Sequence, residues 1–250
     1  MTASLFLSKI QELIQQLSRE SLESIQKAAR YMAESLAQGR AVYYYGSGHS
    51  ILPVLDVFPR YGSFVGLQPI HDTRLMWFNV IGPGGTPELL WLERQEGYVK
   101  HVLDSYVLDP RDTMIVVSHG GLNAAGIEAA MIAKEHGLKV IAITSLANYR
   151  NNPARHSSGK KLADVADIVI DNGAPPEDSL IHIEGWEEPV AASSTITAIC
   201  ISMALVAETA QLLAQQNIHI PTFISPNVLK DSNHNLNVYE AYRQFRRKIY

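Results

Sequence analysis

Residues 41–50, AVYYYGSGHS, form an apolar run of β type that empties into Gly46-Ser47-Gly48-His49-Ser50. The two glycines allow a tight turn and close backbone approach, while Ser47 and Ser50 place hydroxyls beside the amides that open the next helix. Such a loop can hold an anion, although Gly-x-Gly turns also serve as plain strand-to-helix connectors. A second element has the same build: the apolar run 113–117 ends in Ser118-His119-Gly120-Gly121-Leu122-Asn123. If the two strands are neighbours, the loops face each other, and Ser47, Ser50, Ser118 and Asn123 join the amides around Gly46, Gly48, Gly120 and Gly121 in one cradle for a dianionic group. His49 and His119 lie inside it, either contacting the bound anion or standing as partly exposed loop residues. A dinucleotide site does not fit, because Gly46-Ser47-Gly48-His49-Ser50-Ile51 lacks the third glycine of G-x-G-x-x-G and no Walker lysine follows.

The elements that must position these loops alternate along the chain. Residues 5–36 carry apolar side chains at helical spacing, broken near Ser18-Arg19-Glu20-Ser21 and stopped by Gly39. Short apolar runs at 41–45, 64–67, 113–117, 140–144 and 168–170 read as strands, and helices are expected over 50–58, 87–106, 124–136 and 192–215. Strands apolar on both faces, alternating with helices, predict a doubly wound, five-stranded parallel sheet of the α/β class with an N-terminal helical extension. If its order is 2-1-3-4-5, the first and third strands are neighbours and their carboxyl ends form the crevice where ligands collect. The chain divides into a helical segment (1–39), a central α/β unit (40–235) and a C-terminal helix (236–250), all parts of one structural domain. The clusters Gly82-Pro83-Gly84-Gly85 and Asn172-Gly173-Ala174-Pro175-Pro176 read as loops.

Composition narrows the function. The 250 residues are 46% hydrophobic and 18% charged, with a formal net charge of -4, which fits a globular chain with a full core. No dense Lys/Arg run points to nucleic acid, and Arg243, Arg246, Arg247 and Lys248 read as a solvated helix end. Cys200 is the only cysteine, so no intramolecular disulfide forms, in keeping with the cytoplasm. Neither a run of about 18 apolar residues nor a signal peptide is apparent, so no membrane partner is expected. His71, His101, His136, His182 and His219 show no metal-ligand spacing, and neither a metal nor another cofactor is expected.

The three stretches GSGHS, VVSHGGLNAAGIEAAMIAKEHGLKVIAITS and ADIVIDNG resemble the SIS (sugar isomerase) domain family of phosphosugar isomerases, lyases and binding proteins, in particular a set of uncharacterised stand-alone bacterial SIS proteins. Members carry S-x-S-G-x-S/T in the second loop; here Gly120 removes one hydroxyl and Asn123 replaces another. The resemblance implies a sugar phosphate ligand, no redox cofactor, and a homodimer or homotetramer whose contacts the apolar stripe of the N-terminal helix would supply. It implies either an enzyme working by proton transfer, an isomerase or a lyase, or a non-catalytic phosphosugar sensor.

Residue roles follow from the same likeness. Ile81-Gly82-Pro83-Gly84-Gly85 followed by Leu92-Glu93-Arg94-Gln95-Glu96-Gly97 is similar to the branch containing N-acetylmuramic acid 6-phosphate etherase, which makes Glu93 the candidate base and Glu96 a second acid, both on one helix face if the helix runs through them. His234, in the polar turn Asp231-Ser232-Asn233-His234-Asn235, corresponds to a general-acid histidine that reaches a neighbouring subunit's site. Arg155, His156 and Lys160 in the R-H-x-S-G-K pattern either bind the sugar's polar end or an acidic substituent, or form a solubilising loop. Ser193 is a credible N-cap, and Ser194 and Thr195 lie where SIS proteins line the sugar pocket.

Overall fold

The computed structural model describes residues 2–58, 60–76 and 85–249. Most of the glycine-rich turn at 81–84 therefore lies outside the described residues, and Gly85 opens a helix. Five strands, β1 (Val42–Gly46), β2 (Leu67–Ile70), β3 (Thr113–Val117), β4 (Lys139–Thr144) and β5 (Ile168–Asp171), pair in parallel in the order β2-β1-β3-β4-β5. Val42 stands opposite both Leu67 and Thr113, Thr113 opposite Lys139, and Ile141 opposite Ile168. The expected doubly wound order is thus present, with the carboxyl ends of β1 and β3 side by side.

Side chains on a strand alternate between faces, and here both faces are covered. Tyr44, Ile115, Val117, Ile141 and Ile143 join the layer built by α2 (Leu22–Ala37), α3 (Ile51–Val57) and α9 (Ser194–Gln215). Tyr43, Tyr45, Met114, Val116 and Val140 join the opposite layer with α4 (Gly85–Leu92), α5 (Tyr98–Leu103) and α6 (Ala124–Glu135). The N-terminal helical run divides into α1 (Thr2–Gln16) and α2 at a π-helical turn over Leu17–Ser21, where the Ser21 hydroxyl donates to the Asp171 carbonyl at 2.9 Å. Short helices α7 (Leu146–Asn151) and α8 (Leu162–Val165) follow β4, and α10 (His234–Ile249) closes the chain, placing Val238 in the core.

Three expectations need correction, and one element had no counterpart among them. The second strand is Leu67–Ile70 rather than 64–67; Phe64 instead bridges Thr222. Its Pro69 misleads the sequence reading, and it is tolerated because β2 is an edge strand, where a missing N–H breaks no ladder on the open side. The expected helix 87–106 is two helices, since Gly97 adopts φ 84 between them. A two-stranded antiparallel ribbon, β6 (Ser179–Ile181) with β7 (Val190–Ala192), was not anticipated. Finally, α9 is long and apolar enough to cross a membrane by length and composition. It packs against α2 and α3 and buries Thr197, Ser202 and Thr209 on that face, the behaviour of a core helix.

Candidate functional site

The two Ser/Gly loops leave the carboxyl ends of β1 and β3 as expected, but their polar groups are largely wired to each other. Gly46 is demanded by closeness: a Cβ there would lie 2.4 Å from the Ser50 carbonyl oxygen. The Gly48 amide donates to the Leu75 carbonyl at 2.8 Å. Across the crevice the Ser118 hydroxyl accepts from the Gly121 amide at 3.2 Å. Gly121 sits at φ 63 with a would-be Cβ 2.8 Å from Thr144 Oγ1, so both conformation and space favour glycine. Gly120, by contrast, faces open space.

Glu93 ties the loops together. It follows α4 directly and is 7% exposed. The Ser47 hydroxyl donates to its Oε2 at 2.9 Å, and the Asn123 side-chain amide donates to its Oε1 at 2.7 Å. Its backbone carbonyl accepts from the Ala125 amide at 3.0 Å, in the first turn of α6. Thus two groups expected to hold phosphate, Ser47 and Asn123, hold the candidate base. Burial lifts the Glu93 carboxyl above the usual range, with the Ser47 hydrogen bond and the charge of Arg94 opposing it. Glu93, Gly120, Asn123 and Asn148 border one open cleft of about 500 Å³.

A second cluster lies around the histidines. His49 and His119 stand with ring centroids 6.4 Å apart. His119 Nε2 is 3.0 Å from Asn148 Nδ2, while its Nδ1 is buried without a hydrogen-bond partner among the described residues. His49 Nε2 is 3.4 Å from the Ser194 hydroxyl, and burial pushes the His49 pKa down, with Asp178 opposing. The Asp178 carboxylate accepts from the Ser193 and Ser194 amides at 3.0 and 2.6 Å and from the Ser194 hydroxyl at 2.7 Å. It thereby caps the N-terminus of α9 from outside the helix. Burial would raise its pKa, but these hydrogen bonds win and hold it below the ordinary value. Asp178 carried no sequence signal beyond its place after Pro-Pro-Glu; its φ of 65 is a conformation that Asp tolerates better than most residues. His49, Ser50, His119, Ser194 and Thr195 enclose a pocket of about 10 Å³, room for no more than a water.

Two predicted residues, Lys160 and His234, are not brought to the Ser/Gly loops, and a third, Glu96, reaches only a recess beside Asn123. Glu96 does not share a face with Glu93, because α4 ends at Leu92 and the helical spacing lapses. Its carboxylate instead accepts from the Ser157 amide at 2.7 Å and from the Ser157 hydroxyl, which hold it below the usual range. Lys160 is exposed, its amide donating to the Ser158 hydroxyl. His234 bonds the Thr222 carbonyl at 2.9 Å, and Thr222 bridges Phe64 ahead of β2, so it lies toward the amino edge of the sheet, away from the loops of its own chain. His156 occupies an intermediate place, in the same recess of about 160 Å³ beside Asn123 and Arg155.

Comparison with known proteins agrees with this architecture. Residues 5–145 match the SIS domain family. A UPF0309 protein of Caldanaerobacter subterraneus subsp. tengcongensis is 35% identical over 243 residues, covering 96% of this chain and 97% of that one. Among solved structures, a phosphoheptose isomerase from Neisseria gonorrhoeae superposes with a TM-score of 0.55 at 17% identity, over 84% of this chain and 97% of that one. The sugar isomerase domain of an RpiR transcription factor from Sphaerobacter thermophilus gives 0.50 at 17% identity, over 97% and 98%. At such identities the two structures speak for the fold alone, whereas the sequence match, with the paired Ser/Gly loops at adjacent strand ends, places the chain in the SIS domain family.

Proposed function

We propose that the protein is a phosphosugar enzyme in which Glu93 moves a proton on the substrate carbon beside the carbonyl. The observation that carries this reading is the Glu93 carboxyl itself, buried where the two Ser/Gly loops meet, held by Ser47 and Asn123 and raised in pKa by its burial. Neutral donors on both oxygens fix its orientation without the full counter-charge that would lower its basicity. A raised carboxyl pKa lies nearer the operating pH, which favours general-base work. Ser50 and Ser118, with the loop amides, would grip the phosphate once side chains in the small pocket draw back. The sugar would extend into the Glu93 cleft past Gly120. Loss of the proton begins both aldose–ketose isomerisation, in which the enediolate takes a proton back at the neighbouring carbon, and elimination, in which it instead expels a protonated leaving group from the carbon β to the carbonyl. The Neisseria fold relative being a phosphoheptose isomerase fits this class of reaction.

A second reading is binding without turnover, favoured by one observation: both Glu93 oxygens are already engaged, as in a structural clamp. NMR in D₂O with hexose, heptose and amino-sugar phosphates separates the two. The enzyme reading predicts exchange of the C2 proton, slowed about 10²–10⁴-fold by Glu93→Gln with binding retained. Binding without exchange would favour the sensor. Assembly belongs to the same proposal. Leu7 and Ile14, seven positions apart on one face of α1, are exposed, an apolar stripe suited to a second copy, through which His234 would meet a neighbouring site. Leu17, the stripe's expected continuation, is instead buried in the chain's own core. Sedimentation as a monomer at micromolar concentration would remove this part.

A further inference from the structure

Arg94 and Arg155 border the cleft that holds Glu93, and both also border the smaller recess beside Asn123 and His156. Arg60, Arg74, Arg111 and Arg243 are each paired with a carboxylate. The Arg94 and Arg155 side chains form no such ion pair and no hydrogen bond among the described residues, and they come from separate segments, one following α4 and the other following α7. Arg155 does not ride a loose tether. Ser157 is fastened to Glu96 through both its amide and its hydroxyl. His156 Nδ1 lies 2.8 Å from the Ser158 hydroxyl, and its Nε2 lies 3.8 and 3.7 Å from Glu96 and Glu128. Glu96, which does not reach the base, therefore positions the segment that carries Arg155.

Two acids, Glu93 and Glu177, border the same cleft, and Arg94 feels the Glu93 charge, but among the described residues neither acid forms an ion pair with Arg94 or Arg155, and both Glu93 oxygens are oriented by other donors. Two guanidinium groups in one concave site repel each other and together favour an anion, which each can bind through a planar fork of donors. We infer that Arg94 and Arg155 form a second anion-binding position, so that the ligand is a sugar phosphate bearing a further anionic group, a carboxylate or a second phosphate. This rests on the reading that the Ser/Gly loops take the first phosphate.

Calorimetry at low salt with three probes tests it: glucose 6-phosphate, 6-phosphogluconate and fructose 1,6-bisphosphate. On the wild-type protein at least one doubly anionic probe should bind about tenfold or more tightly than glucose 6-phosphate, the scale of a charge-assisted hydrogen bond. Which of the two binds tighter separates a carboxylate from a second phosphate. Arg155→Gln and Arg94→Gln should each erode that preference while leaving glucose 6-phosphate affinity within about twofold, and circular dichroism should show both variants folded. Equal affinity for all three probes, unmoved by either substitution, would overturn the inference and leave the phosphate reading standing. Equal loss of all three in the arginine variants would also overturn it, by assigning the arginines to the first phosphate. No binding of any probe by the wild-type protein would bring down both readings.

Discussion

Two buried acids at opposite edges of the sheet are handled in opposite ways. At the amino edge Asp112 receives the Arg40 guanidinium through both oxygens, each at 3.0 Å, together with the Ala41 and Asp109 amides at 2.9 Å. Its side chain is fully buried and fully met, and it staples the starts of β1 and β3. At the carboxyl edge Glu93 is almost as buried but has only a hydroxyl and a side-chain amide, with the exposed Arg94 nearby. The Tyr45 hydroxyl, buried and unpartnered among the described residues, is pushed up in pKa by burial and then by the Glu93 charge. A buried acid with a matched counter-charge holds structure; one with neutral partners keeps the freedom to take up and release a proton that the proposed reaction requires.

The sharpest way to break this contrast is to remove each acid in turn. Asp112→Ala leaves the buried Arg40 with only its longer 3.8 Å contact to Asp109 and should cost about 3 kcal/mol of stability in urea unfolding. Glu93→Gln should change stability by no more than about 1 kcal/mol, because the Gln carbonyl still accepts from Asn123 and its amide donates to a rotated Ser47. If Glu93→Gln unfolds the protein as Asp112→Ala does, Glu93 is a staple too.

Asp178 sharpens the comparison with a smaller effect. Its folded pKa is depressed, so its contribution is fully present above the ordinary Asp value of about 3.9 and is lost as pH falls through the lower folded value. Asp178→Asn should therefore cost about 1–3 kcal/mol at pH 7, with the gap to wild type closing below about pH 4. A pH-independent gap would remove the charge from the account of the α9 cap.

Much of the scaffold was legible in the residues. Val-Tyr-Tyr-Tyr, Thr-Met-Ile-Val-Val and Val-Ile-Ala-Ile are β-branched or aromatic runs bounded by turn residues, and they became β1, β3 and β4. The edge strand was misplaced because Pro69 argues against a strand unless its position at the edge is known. The site was half legible for a related reason. Local signals, glycines and serines at strand ends, found the loops, but the bonds that decide their chemistry join residues far apart. Ser47 and Asn123 lie 46 and 30 positions from Glu93, and Asp178 lies 16 from Ser194. No spacing rule reaches those distances, and the one applied to Glu93 and Glu96 failed where the helix ended.

The claim that Glu93 is a buried acid without a matched counter-charge can be measured directly. With glutamate carboxyls labelled with carbon-13, the Glu93 resonance is assigned by its loss in Glu93→Gln and followed against pH by NMR. Because the folded pKa is raised, the charged form is disfavoured in the native state, and the penalty is absent at low pH and fully present above the folded value. The expected midpoint lies clearly above the ordinary Glu value of about 4.3, and wild type should lose stability relative to Glu93→Gln as pH rises through it. A midpoint at or below that ordinary value, with no such divergence, would contradict the account.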